Sequence, residues 1–208
     1  CLVIEAYGMT ETAHQMTSNP LGDGKQKAGC VGVVTAPEVC IMDAQGAPVA
    51  AGGEGEVCIR GDNVTPGYEN NPKANADSFT DGWFRTGDQG FFDADGYLTI
   101  TGRLKEIINR GGEKVSPLEV DNVLMEHPAV QQVVTFAVAD KMLGEEIGAA
   151  VVLADGGELD AAGLRAYASE YLAKFKIPKH VVFLTEIPKG ATGKLQRIGL
   201  AEKLGLGD

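Results

Sequence analysis

A hydroxyl and a carboxylate stand side by side in the stretch Tyr7-Gly-Met-Thr-Glu11, directly after an apolar segment, Leu2 to Tyr7, that is predicted to be a strand. Binding groups often lie where a strand runs out into a loop. Glu11 offers oxygen ligands for Mg²⁺, which proteins commonly share with nucleotide phosphates, and the Thr10 hydroxyl could bond a phosphate oxygen. His14 follows and could donate to a small anionic substrate. A polar loop with an inert histidine is the alternative.

Two further stretches, Phe84-Arg-Thr-Gly-Asp88 and Gly102-Arg-Leu-Lys105, also combine charge with glycine. The Asp88 carboxylate could accept hydrogen bonds from the two hydroxyls of a ribose, as acidic residues do in dinucleotide folds. Arg103 could bond the same ribose or a phosphate. Lys105 lies where the composition changes and could act as a hinge, because a few positions at the ends of elements absorb domain motions. An aspartate turn and an ordinary basic linker are the alternatives.

The last stretch, Pro188-Lys-Gly-Ala-Thr-Gly-Lys194, ends in a lysine on a glycine-containing loop. Gly190 and Gly193 would let this loop approach a ligand closely. Lys194 could then place a compact positive charge where a carboxylate attacks a phosphate and negative charge develops. The alternative is a solvated lysine.

The elements that must position these residues change character near residue 103. Residues 1–102 consist of short apolar stretches separated by turns, which predicts a strand-rich, barrel-like subdomain. The stretch Asn71 to Asp77 predicts a short helix with Pro72 in its first turn.

Residues 103–208 alternate strands and helices, which predicts a small α+β domain. Residues 105–109 are predicted to be a strand. The stretch Ser116-Pro-Leu-Glu119 matches a helix capping box, and the helical periodicity of residues 160–174 predicts a second helix. The predicted fold class is therefore α+β, with a domain boundary between residues 102 and 103.

The composition of the chain limits the partners and the cellular locations that we expect for it. The net charge of −11 argues against nucleic acid, because phosphate backbones require a basic surface. Hydrophobic stretches fall short of the roughly 18 apolar residues that indicate a membrane span. The four cysteines contain no C-x-x-C spacing, which argues against zinc and fits a reducing compartment. We expect a cytoplasmic protein; the chain lacks a C-terminal peroxisomal tripeptide, and a peroxisomal location stays open.

In their order along the chain, the four stretches resemble the adenylate-forming superfamily, which contains acyl-CoA synthetases, luciferases and peptide-synthetase adenylation domains. The resemblance implies an acyl-adenylate made from an acid and ATP, followed by attack of coenzyme A. It also implies that nucleotide and metal are bound by a set of residues in the first subdomain: Tyr7, Thr10 with the phosphates, Glu11 with Mg²⁺, Asp88 with the ribose hydroxyls, and Arg103.

The same resemblance implies roles for residues of the second domain. Lys105 would be the hinge about which that domain rotates between the two half-reactions. Gly111 and Gly112 would face the tunnel for the pantetheine of coenzyme A, and Lys194 would be the lysine of the adenylation step.

Within the superfamily the chain resembles oxalate–CoA ligases through Tyr7 to Pro20, Ile107 to Pro117 and Phe175 to Pro178. It also resembles malonyl-CoA synthetases, through Gly8 to Thr12 and Thr17 to Pro20. Both resemblances imply a short dicarboxylic acid, with His14 contacting the substrate and oxalate as the first choice. A fatty or aryl acyl-CoA synthetase is the alternative within the family.

The resemblance is incomplete, because the family's Ser/Thr/Gly-rich phosphate loop does not occur in these 208 residues. We therefore expect the chain to be a fragment: the last subdomain of the AMP-binding domain followed by the C-terminal domain. We expect it to be inactive alone and prone to self-association through apolar surface that the missing layers would cover. A short nucleotide- or CoA-binding module without catalytic activity is the alternative from another class.

Overall fold

A computed structural model describes residues 3–22, 24–190, 193 and 195–207. It divides into two compact units, Cys1–Leu104 and Lys105–Asp208. Each unit has apolar cores of its own. The mixture of antiparallel sheets with a few helices confirms the predicted α+β class.

The first unit begins with a small antiparallel sheet of three two-residue strands: β1 (Ala6–Tyr7), β2 (Thr17–Ser18) and β3 (Val33–Val34). A 3-10 helix, Thr10–Thr12, lies in the connection between β1 and β2. Of the predicted strand from Leu2 to Tyr7, only Ala6–Tyr7 forms; residues 3–5 are not in a strand, and Leu2 lies outside the described residues. Thr10 and Glu11 follow this short strand, as predicted.

A five-stranded antiparallel sheet forms the rest of the first unit: β4 (Glu38–Met42), β5 (Gly55–Arg60), β6 (Phe79–Thr80), β7 (Trp83–Phe92) and β8 (Leu98–Arg103). The long strand β7 lies beside β5, and its other edge pairs first with β6 and then with β8. Over the residues described for this unit, the sheet stays open and does not close into a barrel.

The predicted short helix is α1 (Pro72–Ser78). The side chain of Asn71 caps it by accepting a hydrogen bond from the Ala74 N–H at 3.1 Å. An N-cap side chain satisfies one of the amides that the first helical turn leaves unpaired, and Pro72 needs no such partner.

The second unit is a sheet covered on both faces. Its strands are β9 (Ile108–Arg110), β10 (Glu113–Val115), β11 (Val130–Asp140), β12 (Gly144–Leu153) and β13 (His180–Phe183). Their order is β10-β9-β12-β11, and β13 runs parallel to β12.

Helices α2 (Pro117–Met125) and α3 (Ala161–Tyr171) cover one face of this sheet, where Leu124 and Leu164 are fully buried. The short helix α4 (Leu200–Lys203) covers the other face, against Phe136. Helix α2 begins as the sequence predicts, with Ser116 accepting from the Glu119 N–H. Helix α3 is shorter than the predicted range of residues 160–174: Asp160 caps it by accepting from the Gly163 N–H, and it ends at Tyr171.

The prediction of a strand over residues 105–109 is wrong at its start. A 3-10 helix, Leu104–Glu106, comes first, and only Ile108–Arg110 forms a strand. The charged residues Lys105 and Glu106 are not buried, whereas Ile108 is fully buried. The apolar character that suggests a strand therefore belongs only to the second half of residues 105–109.

Cys40 and Cys58 stand opposite each other on β4 and β5, and both thiols are free. Burial raises the pKa of both, that of Cys58 to about 12. Since the thiolate is the reactive form, these are unreactive packing residues, as the apolar strands around them predict.

Three basic residues near the Gly111-Gly112 turn and near Lys176 are held in ion pairs. Arg110 is paired with the buried Glu146, Lys176 with Glu119 at 2.6 Å, and Lys179 with Asp140 at 3.2 Å. Within the described part of the chain, no helix has both the length and the apolar character needed to cross a membrane.

The Glu146–Arg110 pair gives the second unit a dependence on pH. Burial raises the pKa of Glu146, but hydrogen bonds from Arg110 and from the Ile147 N–H more than offset it, so the pKa is lowered from 4.5. A carboxylate with a lowered pKa stabilises the fold above its unfolded pKa, and that contribution is lost as the pH falls through the folded value.

We therefore predict that Glu146→Gln lowers the free energy of unfolding at pH 7 by roughly 2–3 kcal/mol, because it leaves Arg110 without its partner. It should also flatten the loss of stability between about pH 5 and pH 3. Urea denaturation across this range measures both effects, with the exposed Glu158→Gln as the control. An unchanged pH profile in Glu146→Gln would contradict the assignment.

Candidate functional site

Asp88 is the centre of the polar site in the first unit. It lies in β7, is only 6% exposed, and stands opposite Arg103 of β8 in the strand register. Arg103 Nε donates to one carboxylate oxygen at 2.8 Å, and the Tyr7 hydroxyl donates to the other. The structure therefore brings together three of the predicted nucleotide-binding residues, although Tyr7 and Asp88 are 81 positions apart.

The Tyr7 hydroxyl is held as a donor. Burial and the negative charge of Asp88 raise the pKa of Tyr7, so its phenol keeps its proton at neutral pH. A carboxylate can accept about four hydrogen bonds, so Asp88 retains acceptor capacity for two hydroxyls of a ligand. This arrangement suits a neutral diol, because a buried carboxylate with fixed donors has its orientation set before the ligand arrives.

A bulge in β7 carries Asp88. Three residues of β7, Thr86, Gly87 and Asp88, stand opposite the single residue Val57 of β5. Gly87 has a φ of 76°, in the left-handed region that favours glycine. The Thr86 hydroxyl donates to the Val57 carbonyl at 2.7 Å and accepts from the Asp88 N–H at 3.1 Å.

Glu56 also contacts this bulge, and the sequence analysis missed it. Its carboxylate accepts from the Gly87 N–H at 2.9 Å and from Arg85 Nε at 2.7 Å. The signal that could have identified it is a glutamate directly before the apolar residues 57–59 of β5, because a charge that the strand buries requires partners.

Thr10 and Glu11 lie in the 3-10 helix after β1. Thr10 is exposed, and a Glu11 carboxylate oxygen accepts from the Tyr68 hydroxyl at 3.1 Å. The main chain of the turn is braced from the same side, because the Thr65 N–H donates to the Glu11 carbonyl at 2.7 Å and the Asn63 side chain donates to the Thr12 carbonyl at 2.9 Å. The loop after β5 thus fixes the direction of this turn.

His14 is exposed and follows a left-handed stretch of backbone. The φ angles of Ala13 and His14 are 48° and 96°, which are unusual for residues other than glycine. The turn folds back on Gly8, where an added Cβ would lie 1.5 Å from the His14 carbonyl oxygen. Such backbone strain is kept only where surrounding contacts enforce it, and it is often found at functional sites.

The remaining predicted residues belong to the second unit. Lys105 lies in the 3-10 helix Leu104–Glu106. Gly111 and Gly112 form the two-residue connection between β9 and β10, with φ angles of 60° and 95°, and the Gly111 N–H donates to the Leu143 carbonyl at 2.8 Å. Positive φ at both positions is what a type I′ hairpin turn requires. Lys194 lies outside the described residues.

Arg197 is a second residue that the sequence analysis missed. It donates to Glu106 at 2.9 Å, to the buried Asp121 at 2.6 Å and to the Thr135 carbonyl at 3.1 Å. These bonds tie the segment that follows Lys194 in sequence to α2, to β11 and to the residue after Lys105. Basic residues close to a glycine-rich motif were the available signal.

Comparison with known proteins gives these positions a context. The model of the family described as AMP-binding enzyme matches residues 1–69, and that of the AMP-binding enzyme C-terminal domain matches residues 119–194. Together the two matches cover more than half of the chain.

Two curated relatives and one solved structure are closely similar to the chain. A probable CoA ligase, CCL9, from Humulus lupulus is 54% identical over 96% of this chain and 38% of that protein. The oxalate–CoA ligase of Saccharomyces cerevisiae is 50% identical over 96% of this chain and 37% of that protein. The crystal structure of ATP-bound MatB from Rhodopseudomonas palustris superimposes with a TM-score of 0.89 at 35% identity, over 97% of this chain and 40% of that one.

The chain spans about two fifths of the length of the curated relatives that it matches. Its two units correspond in order to the two matched families, the AMP-binding enzyme first and its C-terminal domain second. The chain therefore belongs to the AMP-binding enzyme family.

Proposed function

We propose that this chain is the later part of an AMP-forming acid–CoA ligase that acts on a short dicarboxylic acid, with oxalate as the first choice. The observation that carries the proposal is the buried Asp88, which Tyr7 and Arg103 hold in place with acceptor capacity to spare. In a chain of the AMP-binding family, this arrangement supports a ribose diol as the ligand. The 50% identity to an oxalate–CoA ligase supports the choice of acid.

The proposed reaction has two halves. In the first, an oxygen of the acid's carboxylate forms a bond to the α-phosphorus of ATP, and the bond to the β-phosphate oxygen breaks to release pyrophosphate. In the second, the sulfur of coenzyme A attacks the acyl carbon of the adenylate, loses its proton, and AMP leaves. The protein contributes mainly position and charge stabilisation to such a phosphoryl reaction.

Residues of the first unit would hold the nucleotide. Asp88 accepts from the ribose hydroxyls, Arg103 donates to the ribose, and the exposed Thr10 hydroxyl donates to a phosphate oxygen. Tyr7 keeps Asp88 oriented for the sugar. In the second unit, Lys105 serves as the hinge, the Gly111-Gly112 turn borders the pantetheine, and Lys194 neutralises charge on the reacting phosphate.

Glu11 is the candidate ligand for Mg²⁺. Across the described ranges, no group of three or more His, Cys, Asp or Glu side chains is arranged to hold a metal by itself. That fits Mg²⁺ bound with a nucleotide, since this ion commonly takes one or two carboxylates and completes its shell with phosphates and water. When bound, the ion would neutralise phosphate charge. The Tyr68 hydroxyl donates to one Glu11 carboxylate oxygen, so the other oxygen would be available to the ion.

A panel of carboxylic acids tests the proposal in the protein that carries this chain. Pyrophosphate release from ATP is measured with oxalate, malonate, acetate and a long-chain fatty acid. We expect kcat/KM for oxalate to exceed that for a monocarboxylic acid by at least about 10²-fold, because a site built to bind a second carboxylate leaves buried polar groups unpaired when that group is missing. Preference for the fatty acid would overturn the assignment.

His14→Ala tests whether His14 contributes to this selection. It should raise KM for oxalate by about tenfold, the loss of one charge-assisted hydrogen bond, and leave KM for ATP nearly unchanged.

The 208-residue chain alone should release no pyrophosphate, because the relatives with which it shares its motifs are more than twice its length. Oxalate-dependent turnover by the isolated chain would refute the fragment hypothesis.

A further inference from the structure

We propose that Glu56 is a positioning residue for nucleotide binding: it holds the bulge of β7 in the shape that aims Asp88 at the ribose. The proposal rests on the function proposed above, in which Asp88 accepts from the ribose hydroxyls. Glu56 belongs to a different strand, β5, and its contacts on β7 are with Arg85 and Gly87. It would therefore act through the main chain of the bulge.

The bulge leaves main-chain groups of β7 without their usual ladder partners. In a regular antiparallel pair the strand amides donate to carbonyls of the neighbouring strand. Here the Gly87 N–H donates to the Glu56 carboxylate at 2.9 Å instead, and the Asp88 N–H donates to the Thr86 hydroxyl at 3.1 Å. At two consecutive residues, Gly87 and Asp88, a side-chain oxygen therefore takes the place of the main-chain carbonyl that would accept from the amide in a regular sheet.

Burial makes the Glu56 contact a strong constraint. The Glu56 side chain is 7% exposed, and its partner Arg85 is 21% exposed. A buried acceptor that loses its donor, or a donor that loses its acceptor, costs the full desolvation of the unpaired group. The left-handed conformation of Gly87 is therefore held by Glu56, and the preceding Thr86 is tied to the Val57 carbonyl of β5, the strand of Glu56.

Glu56 makes two contacts that can be removed separately, and the loss of either one could explain weaker nucleotide binding in a variant of Glu56. One is the ion pair with Arg85, which contributes to the fold of the sheet. The other is the single hydrogen bond from Gly87, which fixes the bulge. A positioning role requires the second contact, so the decisive variants both remove the ion pair, and one of them keeps an acceptor for Gly87 while the other does not.

Two double variants meet that condition. Glu56→Gln with Arg85→Gln removes both charges and keeps an amide oxygen for the Gly87 N–H. Glu56→Leu with Arg85→Leu removes both charges and the acceptor, in line with the finding that apolar replacement of a buried ion pair is often tolerated. Glu38→Gln is the matched control, because Glu38 also pairs across this sheet, with Arg60, but is exposed.

The readout is ribose discrimination, the ratio of kcat/KM for ATP to that for 2′-deoxyATP, in the protein that carries this chain. A purely structural defect would lower both values together and leave the ratio unchanged. We expect the leucine pair to reduce the ratio by about tenfold, the size of one lost hydrogen bond to a charged acceptor, and to raise KM for ATP more than it lowers kcat. The glutamine pair and Glu38→Gln should stay within about threefold of the parent.

Each outcome bears on the inference. The positioning role would be overturned if the leucine pair kept the parent's ratio of kcat/KM for ATP to that for 2′-deoxyATP. It would also be overturned if the leucine pair and the glutamine pair lowered this ratio by the same factor. Asp88→Ala is measured alongside. If Asp88→Ala leaves the ratio of kcat/KM for ATP to that for 2′-deoxyATP unchanged, the ribose contact of Asp88 is refuted, and the role of Glu56 is refuted with it. If Asp88→Ala lowers this ratio and the leucine pair does not, only the role of Glu56 is refuted. Should the leucine pair not fold, Glu56→Met with Arg85→Met supplies a second double variant that lacks both charges and the acceptor.

Discussion

Replacement of Lys194 with alanine is expected to lower the rate of acyl-adenylate formation by about 10²–10³-fold, the usual cost of removing one fixed group that stabilises charge in a transition state. Negative charge develops on the phosphate oxygens as the acid attacks, and a lysine ammonium is a compact donor for them. Thioester formation from a supplied acyl-adenylate should stay within about threefold of the parent, because that step no longer involves pyrophosphate departure.

The two half-reactions are measured separately, the first as pyrophosphate release and the second as thioester formation from synthetic acyl-adenylate and coenzyme A. Lys189→Ala is the matched control, since it removes the same charge from the same motif and Lys189 is an exposed residue paired with Glu186 at 2.9 Å. Equal losses in both half-reactions would show that Lys194 has a structural role and would refute the adenylation role.

Gly8→Ala is expected to reduce adenylation by at least about 10²-fold, because misplacing catalytic groups by about 1 Å can cost that much. An added Cβ would lie 1.5 Å from the His14 carbonyl oxygen and 2.7 Å from the His14 carbonyl carbon. Both are main-chain atoms, so the whole turn would have to move. That turn carries Thr10 and Glu11.

Gly22→Ala is the control for this variant. Its Cβ would meet only the Lys25 side chain, at 3.6 Å, which is an ordinary contact. Steady-state kinetics with ATP and magnesium measure the effect, and circular dichroism shows whether the fold survives. Activity of Gly8→Ala near that of Gly22→Ala would mean that the turn can shift without consequence.

Local signals made the helices of this chain predictable. Asn71 before Pro72, and Ser116 with Pro117 and Glu119, mark helix starts because their side chains satisfy amides that the first turn leaves unpaired, and the structure shows those bonds. The segment 105–109 misled because its apolar residues come only in the second half, after a charged 3-10 helix.

The site was predictable only as separate motifs. Asp88 could be named as a candidate binding carboxylate from its own stretch, but its bonds to Tyr7 and to Arg103 depend on strand register and on a bulge, which short motifs do not encode. Glu56 and Tyr68 were missed for the same reason. Each contacts a motif from another segment of the chain, and no spacing rule links the two.

The position of Arg103 at the end of β8 has a consequence for the order of events in catalysis. Its bond to Asp88 lies wholly within the first unit, and the division between the units follows one residue later, after Leu104. In the proposed reaction, a rotation about Lys105 would therefore leave the proposed contacts of Asp88 and Arg103 with the ribose intact. The adenylate would stay anchored while the groups around its acyl end were exchanged, so the intermediate need not dissociate between the two half-reactions.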